Sequence, residues 1–127
     1  MSYRNLFTHT KSFRKATGYF ELLTLALESR DTVSLEKELA TLKDLRVINM
    51  VISCTFRARM QGFLSPTQQV LKTLMLAHAK EVIEGISSAD DLSKINDTLQ
   101  QDAAIDSFCT NEIEDLIEAR LKQLHPC

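Results

Sequence analysis

The sequence predicts an all-α fold: a single-domain bundle of four to five helices around a long central helix, the second in the chain. Three observations point there. Apolar residues recur at three- and four-residue steps almost throughout, the spacing that lines one face of a helix. Gly and Pro, which all-β folds need at many tight turns, number only 3 and 2. Apolar residues make up 44% of the 127 residues, and one core of this size takes roughly two thirds of the unfolded chain's surface out of water. No repeat, low-complexity tract or linker divides residues 1–127, and 1–11 reads as a basic N-terminal arm.

Helix 1 is expected from about Ser12 to Arg30, with Phe13, Ala16, Phe20, Leu23 and Leu27 as its stripe. Gly18 in its interior marks a close helix crossing or the true helix start. Helix 2 is expected from Val33 to Gln61 behind a Ser34 or Thr32 cap, with Leu35, Leu39, Leu42, Leu45, Ile48, Ile52 and Phe56 in one continuous line. From Val47 onward Met50, Val51, Cys54 and Ala58 fill the other sides, the mark of a central helix. As one helix it is roughly 40 Å long. Gly62 ends it, and Ser65-Pro66-Thr67-Gln68 opens helix 3 with a Ser cap, Pro at the first position and Gln three after the cap. Helix 3 runs from Pro66 to Glu84 and stops at Gly85. Ser88 caps a short helix 4 with Leu92, Ile95 and Leu99 inward. Helix 5 carries Ile105, Phe108 or Cys109, Ile113, Leu116, Ile117, Leu121 and Leu124 up to Pro126.

The formal net charge is −2, but it is split. Residues 1–80 hold 12 basic and 6 acidic side chains, residues 81–127 hold 3 and 11. No acid falls between Asp44 and Glu81, where Arg46, Arg57, Arg59, Lys72 and Lys80 sit. Either the acidic C-terminal helices pack beside the basic middle, or the two patches face separate charged partners.

Motifs of chemistry are scarce. Three isolated glycines make no phosphate loop. Three cysteines and three histidines, with no C-x-x-C pair, leave a zinc site few ligands. His78-x-x-Glu81 runs opposite to the Glu-x-x-His of di-iron bundles and reads as a partly buried helix residue. Cys54 reads as a small core residue, Cys127 as an exposed thiol, and Asp106 and Glu112 disfavour a thiolate at Cys109. Glu112, Glu114, Asp115 and Glu118 read as a solvated face. No catalytic residue, cofactor or metal is assigned.

The most apolar run, Val47 to Phe56, is interrupted by Asn49 and Ser53 and is far short of a membrane span. The sparse, odd cysteine set fits a reducing, cytoplasmic setting. The alternative is export or organelle targeting through the N-terminus, which carries Arg4, Lys11, Arg14 and Lys15, several Ser and Thr, and no acid before Glu21.

The functional expectation is a non-enzymatic protein–protein interaction module: an adaptor, small regulatory subunit or chaperone-like helper. Its partner is another protein, a second copy, or both. Partner contact is expected at Met60, Phe63 and Leu64, an apolar corner where loop residues are normally polar, with Arg57 and Arg59 beside it. Tyr3, Leu6 and Phe7 could instead cover that corner. The alternative from another class is a nucleic-acid-binding regulator using the basic middle. A third is a small all-α enzyme without a recognisable motif.

Overall fold

A computed structural model describes residues 10–62, 65–106, 108–109 and 112–125. All regular structure among the described residues is helical: α1 Lys11–Glu28, α2 Thr32–Thr41, α3 Leu45–Met60, α4 Pro66–Glu84, α5 Ala89–Ile105 and α6 Glu114–Leu124. The all-α expectation holds. Among the described residues the count is six helices, not four to five.

Thr10 opens α1, its Oγ1 accepting the Phe13 N–H at 3.1 Å. The end of the expected N-terminal arm is therefore helix cap and helix. Gly18 is an interior residue of α1, where glycine costs about 1 kcal/mol against alanine. A Cβ built there meets nothing within 4 Å, so no described helix crosses it closely.

The expected long helix 2 is two helices. Leu42 leaves helical geometry (φ −90°, ψ 94°), and the Asp44 side chain caps α3 by accepting the Arg46 N–H at 2.9 Å. The carbonyl freed at Leu42 accepts a hydrogen bond from His78 Nε2 of α4 at 2.6 Å. The Leu42 carbonyl and the Arg46 N–H, both left without a helical partner by the break, are thus satisfied by side chains. The two segments also differ in burial. No residue of α2 is fully buried, and it lies on α1. In α3, Leu45 and every residue from Val47 to Thr55 are buried. The central role therefore belongs to α3 alone, which packs against α1, α4 and α5.

Helix α4 matches its expected bounds, with Ser65 Oγ accepting the Thr67 N–H at 3.2 Å and Gly85 as C-cap. Gly62 has φ +90°, a left-handed turn that glycine adopts without strain. Ser88 caps α5 as expected, accepting the Asp91 N–H at 3.2 Å. Helix α5 is not short, however: it spans 17 residues to Ile105. Of the expected start of helix 5, Ile105 ends α5, and Phe108 and Cys109 are not helical. Asp106 turns the chain out, its Oδ1 accepting the Phe108 N–H at 3.0 Å and its carbonyl accepting the Cys109 N–H at 2.9 Å. Cys109 and Ile113 reach the core from this irregular segment, at 1% and 0% exposure. No described helix is long and apolar enough to cross a membrane.

Candidate protein-binding surface and the charges behind it

The α3–α4 corner carries an open cleft of about 350 Å³. Thr55 and Phe56 of α3 line it with Arg59, and α4 contributes Gln68, Gln69 and Lys72. No acidic residue lines it. Met60, the last residue of α3, is 73% exposed at the same corner, and Val70 on α4 is also exposed. The first turn of α4 adds the positive end of a helix dipole. Lys72 Nζ lies 4.6 Å from the Phe56 ring centroid and 3.1 Å from Glu112 Oε1.

Of the residues expected to meet a partner, Met60 and Arg59 are exposed at this corner. Phe63 and Leu64 lie outside the described residues, as do Tyr3, Leu6 and Phe7. Arg57 does not line the cleft. Its guanidinium is paired with Asp106 and lies 5.1 Å from the Phe13 ring centroid and 4.9 Å from that of Phe108. A flat cation between two aromatic faces suits arginine.

Arg57 belongs to a polar stripe that the sequence reading missed. Arg46, Asn49, Ser53 and Arg57 recur at three- and four-residue steps on α3, so they share a face. That face meets the end of α5 and the segment after it. Arg46 donates through Nε to Asp102 Oδ2 at 2.8 Å and through Nη2 to Asp102 Oδ1 at 2.9 Å, a bidentate pair. Asn49 Nδ2 donates to Cys109 Sγ at 3.4 Å. With Lys72–Glu112, three ion pairs join the basic middle to the acidic C-terminal region. Of the two expectations for the split charge, the first therefore holds for these six groups. The signal that could have found the stripe was present: four polar residues at helical spacing on an otherwise apolar helix.

The acidic row divides. Glu112 pairs with Lys72, Glu114 accepts from Gln100 Nε2 at 3.1 Å, and Asp115 and Glu118 are exposed. His78 is buried with Nε2 toward the Leu42 carbonyl; a carbonyl only accepts, so Nε2 carries the proton. Among the described residues no group of three or more His, Cys, Asp or Glu could hold a metal ion.

Cys54 and Cys109 are buried free thiols. Burial pushes Cys54 from an ordinary 9.0 to about 11. Burial first, and the Asp102 carboxylate second, push Cys109 to about 12. The carboxylate acting on Cys109 is therefore Asp102 rather than the neighbours in sequence. Unfolded thiols release their protons near 9.0, folded ones only at about 11 and 12. Their contribution to stability is thus complete below 9.0 and is lost as pH rises toward 12. A Cys54→Ala variant is expected to lose stability less steeply above pH 9.0 than the parent, in denaturant titrations repeated across alkaline pH. Equal slopes would contradict the assignment.

No protein-family model, characterised protein or solved structure matches the chain.

Proposed function

We propose that this chain is a non-enzymatic protein-interaction module, an adaptor or small regulatory subunit, that docks an acidic segment with an apolar anchor in the α3–α4 cleft. The observation that carries this reading is where the cations of the basic middle go. Arg46, Arg57 and Lys72 each meet a carboxylate of the same chain. Binding to a nucleic-acid backbone draws its energy from cations that neutralise phosphates. Cations already paired inside the fold supply little of that energy, which favours a protein partner over a nucleic-acid one. The cleft suits such a partner: Phe56 lines it and Met60 is exposed beside it for apolar contact, exposed Arg59 and the first turn of α4 offer positive charge, and none of its described lining residues is acidic. Exposed methionine is an adaptable contact for apolar side chains.

A photo-crosslinking amino acid at Met60, introduced in the native cell, tests the reading. The side chain already faces water, so the fold tolerates the change. The expected adduct is to a protein, and it is expected to weaken severalfold when exposed Arg59 is changed to Glu. An adduct to nucleic acid, or no adduct, would overturn the proposal.

A further inference from the structure

The interior glycine of α1 does not start the helix, and among the described residues nothing lies within 4 Å of where its Cβ would stand. It borders a groove of about 300 Å³ together with Lys15, Tyr19 and Leu22 of α1 and Glu38 of α2. Leu22 and Leu25 stand out of the same face at 49% and 62% exposure. Lys11, Lys15, Gly18, Leu22, Leu25 and Ser29 follow one another at steps of four and three, the seam spacing of a helix that packs along a second helix.

The charges of α1 choose the direction. Its first half carries Lys11, Arg14 and Lys15 and no acid; its second half carries Glu21 and Glu28. All five side chains are exposed. A parallel pair would set like charges together. An antiparallel pair sets the basic end of each helix against the acidic end of the other.

We propose that the chain forms a two-fold homodimer through antiparallel packing of α1 on α1 of a second copy, with Leu22 of each copy seated over Gly18 of the other. That register also sets Leu25 opposite the aliphatic stem of Lys15 and Lys11 opposite Ser29. A second copy is the occupant because the face complements itself. The bulk of Leu22 lies one turn from the void at Gly18, and the basic end lies one helix length from the acidic end. The face shares no residue with the α3–α4 cleft, so the two proposals stand or fall separately.

Sedimentation equilibrium of the full chain tests it. A monomer–dimer equilibrium is expected, weakening as salt is raised. The Leu22→Glu/Leu25→Glu double variant is expected to be monomeric with an unchanged helical circular dichroism spectrum, because both side chains already face water. Gly18→Ala moves two readouts oppositely. It raises the melting temperature of the monomeric double variant, through helix propensity. In the parent it weakens association severalfold, by filling the socket for Leu22. Arg14→Glu and Glu28→Arg are each expected to weaken the dimer, and their combination to restore it. A monomer at every concentration overturns the proposal. So does a dimer indifferent to Leu22→Glu/Leu25→Glu, or a charge swap that restores nothing.

Discussion

Replacing Arg46 by leucine is expected to destabilise the fold by about 3–5 kcal/mol, because it strands a buried carboxylate. The Asp102 side chain is only 3% exposed and Arg46 33% exposed. Removing the arginine leaves Asp102 without its bidentate donor and without water. Removing the aspartate instead leaves an arginine that already reaches solvent. Asp102→Leu is therefore expected to cost clearly less, and the Arg46→Leu/Asp102→Leu pair less than Arg46→Leu alone. Domains of this kind have about 5–15 kcal/mol of stability in all, so Arg46→Leu sits near the edge of folding. Urea titrations of the three variants check the ranking. Equal losses from the two single changes would contradict the buried-carboxylate argument.

The second large effect is expected at Arg57. Its side chain is 25% exposed and that of Asp106 only 8%. Arg57→Leu again strands a carboxylate, at about 3–5 kcal/mol, and also removes the cation from two aromatic faces, each worth about 0.5–2 kcal/mol. Asp106 carries the turn that places Phe108 and Cys109. The consequence is local as well as global: the segment after α5 should loosen from α3. Cys109, 1% exposed in the native chain, is expected to resist a thiol reagent in the parent and to react in folded Arg57→Leu. Arg57→Lys keeps the charge but loses the flat stacking geometry, so an intermediate loss is expected. Unchanged Cys109 reactivity in folded Arg57→Leu would remove Arg57 from this role.

Where one local signal settles an element, the sequence was enough. Ser65, Pro66 and Gly85 bracket α4 at its observed bounds, and Ser88 marks the start of α5. The break between α2 and α3 was hidden because Leu39, Leu42, Leu45 and Ile48 keep helical spacing straight across it. Nothing local distinguishes Asp44 as a cap from a surface acid; the difference is made by His78 taking up the carbonyl of Leu42, 36 residues before it. The end of α5 was hidden for a similar reason. Ile105, Cys109 and Ile113 fit a helical stripe, yet Asp106 turns the backbone there, held by an arginine from α3.

The ion pairs were half legible. The charge split between residues 1–80 and 81–127 announced that the two regions attract. Which cation meets which acid did not follow, since Arg46 and Asp102 stand 56 residues apart and meet only once α5 packs on α3. Asn49 and Ser53 were legible as interruptions of the apolar run, but not as members of one face with Arg46 and Arg57. Of the expected contact residues only Arg59 lines the cleft; Met60 is exposed nearby, and Phe63 and Leu64 lie outside the described residues. The lining from α4 was not legible, because Gln68, Gln69 and Lys72 meet Phe56 only once α4 packs on α3.

Arg46, Arg57 and Lys72 are spent on carboxylates inside the fold, which favours a protein partner over nucleic acid at the basic middle. Fluorescence anisotropy of a labelled DNA duplex, titrated with the full chain at low ionic strength, tests this most directly. No saturable binding is expected. Saturable binding that falls steeply with added salt would show free cations facing phosphates, and would contradict it.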